Sequence, residues 1–377
     1  MTRLKLTAAA ALCSAALLSG CATPLAGKPA DEATRKVMIQ NWQNASYNID
    51  GQFGFNQLSF NDSASGLKLG QTADTIDQVA RSIHLNLSGA VDAPSGKVEL
   101  IPELRFERRN LLASIKVPLQ FRAQDMSLLV DPSAVDLALP SLRKHPGLFV
   151  RAKLPADIAD KIPLKEMYQA MPQIIDQAYA QLDKKAFSFE PLDAYADEVG
   201  ARYKLRMTLD KPQEQKLTVQ ILEGLAKVAH EQLKSPDEKS GTESMIRLVQ
   251  ELMKLSPAAS AANQTVSDLY VSRGGDLLAV RQNIRMNTKE FSADAYLNLR
   301  YSHLGKPQFV YNPAESDIVD YDKVELPDWL SGGDKAPAAV ADDAAAAAEP
   351  APAAQAAPQP AQKPAAKKKK RKARAQQ

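Results

Sequence analysis

The hydrophobic positions of this chain follow two periods, and the change between them outlines the fold. From residue 46 to residue 154 apolar and polar residues alternate, as in SIHLNLSGAV, where Ile83, Leu85 and Leu87 occupy every second position. A second alternating stretch covers residues 266–312. Such alternation is typical of antiparallel strands that have one apolar and one solvated face.

Two of the predicted strands contain a proline, and a third ends the second stretch. The segment ASIKVPLQFRA, residues 113–123, is predicted as one strand. The segment SGKVELIPELRFE is predicted as a strand interrupted at Pro102, because proline cannot donate a hydrogen bond to a ladder. QFVYN, residues 308–312, is predicted as the last strand, after a Gly-Lys-Pro turn.

Helices are predicted where the spacing of apolar residues changes to three or four. The segment that begins at Asp31 has acidic residues in its first turn, which suits a helix N-terminus. In PLKEMYQAMPQIIDQAYAQL, Pro172 predicts a kink or a break. The predicted helices cover residues 31–45, 163–182, 212–234 and 242–255.

Together these patterns predict an α+β fold in which helices pack on one face of a large, curved antiparallel β-sheet. The body is predicted as a single domain over residues 31–333, preceded by a short tether at residues 21–30. Residues 334–377 contain almost no apolar residue larger than alanine, so we expect a disordered Ala/Pro-rich linker with a basic end.

The first 20 residues have the three parts of a secretory signal. Arg3 and Lys5 precede an apolar stretch from Leu6 to Leu18, and small residues follow. This stretch is shorter than the roughly 20 residues that a membrane-spanning helix needs. We therefore expect residues 1–20 to be a cleaved leader.

The end of the leader, Leu-Ser-Gly-Cys at residues 18–21, resembles the lipobox of bacterial lipoproteins. The resemblance implies that the thiol of Cys21 receives a diacylglycerol, that the leader is cut before it, and that the new amino group takes an acyl chain such as palmitate. Two or three acyl chains anchor a protein stably. Ala22 follows where an aspartate would favour inner-membrane retention, so the resemblance implies the periplasmic face of the outer membrane.

Charge is distributed unevenly along the chain. The net charge is +3, of which the leader contributes +2 and residues 334–377 contribute +5, which leaves the body at −4. In an envelope compartment the basic tail would meet peptidoglycan or anionic lipid, whereas nucleic acid is an unexpected partner. A solubilising role is the alternative. The candidate contacts are Lys367, Lys368, Lys369, Lys370, Arg371, Lys372 and Arg374.

The sequence carries no motif of catalysis or metal binding, so we expect a protein that is not an enzyme and needs no cofactor or metal. There is no GxSxG, HExxH, CxxC or Walker A motif. The segment ESDIVDYD concentrates Glu315, Asp317, Asp320 and Asp322, but it lacks the spacing of a calcium loop, and a solvated strand exit is favoured. The four histidines are isolated in sequence; they are His84, His145, His230 and His303.

An amphipathic helix just after a lipidated cysteine, a long antiparallel sheet and the closing segment LRYSHLGKPQFVYNP resemble the LolA/LolB and LprG/LppX group of envelope proteins. That resemblance implies a half-barrel sheet that holds acyl chains in an apolar cavity. The middle of this chain is richer in helix than that group, and its basic tail is an addition. A cavity would be lined by the Met-containing helix predicted at residues 163–182, with plain core packing as the alternative; the candidate residues are Met167, Met171, Ile174, Ile175 and Tyr179.

Two functional hypotheses follow from the sequence. The first is a membrane-anchored envelope lipoprotein with a structural or interaction role. The second is a lipoprotein that binds or transfers lipid, or another hydrophobic ligand, in a cavity under the sheet.

Overall fold

A sheet of 13 strands forms the body of the protein in the computed structural model. The structure describes residues 23–60, 71–135, 148–154, 159, 162–232, 264–288 and 291–324. These residues belong to the first of two compact units, Met1–Glu325, and the second unit, Leu326–Gln377, lies outside the described residues.

The strands are β1 (Ser46–Phe60), β2 (Ile83–Asp92), β3 (Lys97–Arg108), β4 (Leu111–Lys116), β5 (Leu119–Arg122), β6 (Ser127–Val130), β7 (Phe149–Lys153), β8 (Phe187–Glu190), β9 (Tyr203–Asp210), β10 (Gln264–Val271), β11 (Leu277–Asn287), β12 (Phe291–Ser302) and β13 (Ile318–Asp320). The helices are α1 (Ala30–Gln43), α2 (Gln71–Ser82), α3 (Leu164–Ala180), α4 (Ala194–Val199) and α5 (Lys211–Gln232).

The strand order across the sheet is β13-β7-β6-β5-β3-β2-β1-β12-β11-β10-β9-β8, and β4 pairs with β3 beside β5. All pairs are antiparallel except β13 with β7, which is parallel. The predicted α+β class with a large, essentially antiparallel sheet is therefore confirmed. The predicted tail falls outside the described residues, as do the leader, Cys21 and the predicted helix at residues 242–255.

Alternation along the strands gives the sheet an apolar and a polar face. On the apolar face, α1, α3 and α5 cover the end formed by β8 to β11. Buried side chains of α3, β8 and β9 form one cluster, against which α1 and α5 pack. A second cluster joins α1 to β9, β10 and β11. The short helix α4, which the sequence did not predict, lies on the polar face, where Tyr195 meets Tyr270 edge to face at 5.0 Å.

Helix α3 is continuous through Pro172, so the alternative of a break there is wrong. A proline in a helix removes the N–H that would bond to the carbonyl four residues earlier, here that of Tyr168. In this structure the indole Nε1–H of Trp42 on α1 donates to the carbonyl of Tyr168 at 3.1 Å. The neighbouring helix thus satisfies the group that the proline leaves free.

Strand β3 also runs through its proline, contrary to the predicted interruption at Pro102. Its neighbour on that side changes from β5, which pairs up to Leu100, to β4, which pairs from Glu103. Pro102 lies at this change, where its carbonyl accepts from the backbone N–H of Val117 at 3.1 Å. No ladder donor is required at that position, so proline fits.

The predicted single strand over residues 113–123 is wrong, because it consists of β4 and β5. Pro118 lies between them and cannot donate to a ladder. Its carbonyl instead accepts from the N–H of Asp131 at 2.9 Å. The break turns one strand into two that follow different parts of β3.

The predicted strand at residues 308–312 is also wrong, because this segment crosses the polar face instead of joining an edge. Asn48, Glu99 and Gln120 lie on one row of directly paired residues across β1, β2, β3 and β5, in which Ala90 leaves room. Asn48 exchanges two hydrogen bonds with the backbone of Gln308, at 2.7 and 2.8 Å. Side chains of the sheet therefore make the hydrogen bonds with this segment's backbone that a neighbouring strand would otherwise make. We call residues 307–314 the closing segment.

Candidate functional site: an apolar row that opens at the β3–β4 hairpin

Five apolar side chains stand in register across the apolar face. They form a row in which each residue directly opposes the next on the neighbouring strand: Leu297, Phe53, Leu85, Leu104 and Ile115. Directly opposed side chains have Cβ atoms about 5 Å apart, so the row is a continuous apolar surface. We call these residues the apolar row.

Exposure rises along the apolar row toward β4. Leu297 and Phe53 are half-buried, whereas Leu85, Leu104 and Ile115 are 40%, 50% and 52% exposed. Helices α1, α3 and α5 lie over the other end of the sheet, β8 to β11, while α2 packs on β1, β2 and β3. Burying a leucine or isoleucine side chain is worth about 1.5–3 kcal/mol, so a partner that covered these three residues would gain several times the thermal energy.

The β3–β4 hairpin continues this exposed region to its tip. Every residue of β4 is exposed, including Leu111 at 58% and Leu112 at 57%. Natural edge strands are usually short, charged or covered, so two adjacent exposed leucines need a reason. The turn is formed by Arg109 and Asn110, and Arg109 has a φ of 44°, in the left-handed region that bulky residues rarely adopt.

The residues that the sequence proposed as a cavity lining lie in the helical end of the fold. Met171, Ile174, Ile175 and Tyr179 are buried in one cluster with β8 and β9, and Met167 is half-buried. Burial raises the pKa of Tyr179 to about 12. This placement corresponds to the core-packing alternative, and a ligand cavity at these residues stays a prediction.

The polar face carries an open cleft of about 440 Å³ between the hairpin and α4. Its polar walls come from neighbouring strands and from Tyr195 of α4; they are Asp50, Gln52, Asn86, Ser88, Glu103, Lys116, Asn298 and Arg300. Amide, carboxylate and cationic groups mix here without a dominant sign. Two further clefts, of about 550 and 620 Å³, flank α1.

A charged cluster fastens α4 to the polar face. Lys204 Nζ lies 2.8 Å from Asp193 Oδ2 and 3.1 Å from Asp268 Oδ2, and Arg206 makes two hydrogen bonds with Asp268. The hydrogen bond from Lys204 is the main reason that the pKa of Asp193 is lowered to about 2. Burial would lower the pKa of Lys204, but its two carboxylate partners outweigh burial and raise it. Each charge is paired, which suits a structural cluster.

The acidic segment at residues 315–322 is held by arginines of the sheet. Glu315 lies 2.8 Å from Arg151 and 3.4 Å from Arg122, and Asp320 Oδ1 lies 2.7 Å from Arg151 Nε. In the part of the chain that the structure describes, no three His, Cys, Asp or Glu side chains come together as a possible metal site.

The described histidines lie apart from one another. His84 Nδ1 is 3.3 Å from the hydroxyl of Tyr296, and His303 Nδ1 is 3.2 Å from that of Ser302. His230 lies on α5, and His145 is outside the described residues.

None of the described helices is long and apolar enough to cross a bilayer. No family model, curated protein or solved structure matches the chain.

Sequence reasoning could predict the alternation that makes one face apolar, but it missed the apolar row. Five strands from distant parts of the chain form the row, and their register depends on pairings that no local pattern specifies. The one local signal of an exposed apolar region was the adjacent pair Leu111 and Leu112. This pair breaks the alternation of apolar and polar residues in the hairpin.

Proposed function

We propose that this protein is a lipid-anchored lipoprotein of the bacterial envelope that acts by interaction and without catalysis. Acylated Cys21 would hold it at the periplasmic face of the outer membrane. The apolar row would be its contact surface for another envelope component. The basic residues near the C-terminus would supply a second contact, with peptidoglycan or anionic lipid.

The observation that carries this proposal is the exposure of Leu85, Leu104 and Ile115 in one registered row. Exposing a row of apolar side chains to water costs free energy. Contiguous apolar surfaces of this kind often mark interaction sites. These three side chains stay exposed beside α2, and the other helices of this face lie over its far end.

The dimensions of the apolar row favour a second candidate function, the binding of an acyl chain. Neighbouring strands are about 4.8 Å apart, so the four spacings from Leu297 to Ile115 span roughly 19 Å. That length is comparable to one leaflet of the bilayer core, about 15 Å, and so to an extended acyl chain. The same row could therefore hold a lipid.

A photo-crosslinking amino acid at Leu104 or Ile115, in cells that make the full protein, tests both functions. The interaction role predicts a defined protein adduct from both positions, lost when the other residue is changed to asparagine. Lipid binding predicts a lipid adduct instead, and co-purified lipid in native mass spectra of the same protein.

The matched control places the crosslinker at Val310, which is apolar and more exposed, at 68%, but lies in the closing segment on the other face. Equal adducts from Val310 and Leu104, or none from the row, would contradict both functions. Deletion of residues 363–377 tests the second contact separately, because it should abolish salt-sensitive cosedimentation with peptidoglycan or anionic vesicles.

A further inference from the structure

We propose that the tip of the β3–β4 hairpin is a membrane-contact element that inserts Leu111 and Leu112 into an anionic phospholipid surface. This inference goes beyond the contact surface proposed above, and it does not require that the apolar row bind anything. It rests on the direction, the exposure and the charge of the hairpin tip.

The two leucines point to opposite faces of the sheet. Leu111 opposes Arg108 and shares its face with Ile115, while Leu112 opposes Glu107 and shares its face with Lys116. Both side chains are more than half exposed. A ligand or a partner lying on one face would cover only one of them. A bilayer that the tip enters end-on would surround both.

The charges around the tip select the kind of surface. Arg105 is paired with Glu107 at 3.1 Å, and Lys116 with Glu103 at 3.8 Å. Arg108 and Arg109 are exposed, and neither has a carboxylate partner in the described part of the chain; Arg108 donates to the amide oxygen of Gln78. The tip therefore presents two uncompensated positive charges beside two leucines.

This combination matches the interface of an anionic membrane. Apolar side chains gain free energy in the boundary between headgroups and acyl chains, and each arginine near an anionic surface adds about 1 kcal/mol. A protein partner could meet the same charges, but it would have to enclose the tip from both faces. The geometry therefore favours phospholipid.

The hairpin is built to carry the tip rigidly. Six registered pairs join β3 to β4, from Glu103 with Lys116 to Arg108 with Leu111. The turn has only two residues, Arg109 and Asn110, so one residue separates the arginines from the leucines. Little conformational entropy is then lost when the tip enters a membrane.

Site-specific fluorescence in the full-length chain tests the proposal. Cys13 and Cys21 are changed to serine, Leu112 is changed to cysteine, and an environment-sensitive NBD label is attached there. With vesicles of equal parts phosphatidylglycerol and phosphatidylcholine, we expect a blue shift and a rise in emission. Doxyl groups on the acyl chains should quench that emission, and pure phosphatidylcholine vesicles should give a much smaller effect.

Three comparisons make the test specific. The same label at position 310, in Val310→Cys, should not be quenched, because the closing segment is not expected to enter the membrane. This control separates insertion of the tip from adsorption of the protein through its basic tail or leader. Replacing both Arg108 and Arg109 by glutamine should weaken the signal from position 112 on anionic vesicles. At high salt, which screens the attraction of the basic tail to the vesicle, the double substitution Leu111→Ser and Leu112→Ser should lower the vesicle partition coefficient by about tenfold or more.

Emission from position 112 that stays unchanged on anionic vesicles overturns the proposal, as does equal quenching at positions 112 and 310. Neither result would affect adducts from Leu104 and Ile115, so the failure of this proposal and the failure of the proposed function are distinguishable.

Discussion

Glu99 accepts the backbone N–H of Tyr311 at 2.8 Å, and its other carboxylate oxygen accepts that of Val310 at the same distance. Glu99 belongs to the middle of the sheet and is only 1% exposed. This buried carboxylate acts together with Asn48 and Gln120 to hold the closing segment, which continues to β13 and its parallel pairing with β7.

We expect Glu99→Ala to lower the free energy of unfolding by about 3 kcal/mol, because two charge-assisted hydrogen bonds are lost and two backbone donors lose their acceptor. Urea denaturation measures this change, and amide exchange at Val310 and Tyr311 should become much faster. Glu107→Ala, on the exposed end of the same strand, is the matched control. Equal effects of the two substitutions would show that Glu99 does not hold the segment.

Much of the sheet was predictable, since the alternation in β1, β2, β11 and β12 is local information. The closing segment was not. Its sequence QFVYN has the composition of a strand, and only the row of Asn48, Glu99 and Gln120 in distant strands makes a crossing path more favourable. Tertiary hydrogen bonds overrode local propensity there.

The predicted interruption at Pro102 and the predicted alternative of a break at Pro172 were wrong for the same reason. Pro102 and Pro172 remove donors, which a local rule treats as breaks. The strand exchange beside Pro102 and the indole beside Tyr168 make those donors unnecessary. Helix α2 was not predicted although it is strongly amphipathic, and strand β8 was missed because it has only four residues. The apolar row required register, and register follows from pairing across more than 200 residues of sequence.

The bond between Trp42 and the carbonyl of Tyr168 leads to a prediction about α3. We expect Trp42→Phe to destabilise the protein by about 1–2 kcal/mol, because it leaves a carbonyl inside the helix without a donor. In a Pro172→Ala background the alanine N–H can bond to that carbonyl, so the same substitution should have a smaller effect. Thermal or urea unfolding of the four proteins gives the coupling energy.

Tyr168→Phe serves as the control in that series, since the hydroxyl of Tyr168 donates to the carbonyl of Trp42 at 3.2 Å and is unrelated to Pro172. Its effect should be the same in both backgrounds. If Trp42→Phe is also independent of residue 172, the indole does not compensate for the proline.

The lowered pKa of Asp193, about 2, predicts a pH dependence of stability. A carboxyl group whose pKa is lower in the folded state stabilises the fold above its unfolded pKa of about 4. That contribution is lost as the pH falls through about 4 toward about 2. The side chain of Asp193 is 40% exposed, so solvent screening limits the effect.

Asp193→Asn isolates this charge, because asparagine can still cap α4 by accepting from the N–H of Ala196. We expect the variant to be less stable than the parent by about 1 kcal/mol at pH 7. The two proteins should converge in stability near pH 2. Unfolding curves at several pH values, with Asp197→Asn as a control for general charge effects, measure this. A constant difference at all pH values would argue against the pairing with Lys204.

The proposed lipid anchor can be tested with the two cysteines of the chain. Both lie in the first 21 residues, but only Cys21 follows the Leu-Ser-Gly pattern, whereas Cys13 lies inside the apolar stretch. We expect Cys21→Ser to abolish incorporation of a labelled fatty acid and to move the protein from the membrane to the soluble fraction. The physical reason is that the acyl chains supply the stable anchoring, so their loss removes it.

Cys13→Ser is the matched control, since it removes the other thiol and keeps the apolar character of the leader nearly unchanged. Labelling and fractionation should stay as in the parent. The hairpin tip adds a finer expectation: a Cys21→Ser protein should retain weak, salt-sensitive binding to anionic vesicles, because Leu111, Leu112 and their neighbouring arginines remain. Fatty-acid labelling that persists in Cys21→Ser, or that disappears in Cys13→Ser, would place the anchor elsewhere and contradict acylation of Cys21.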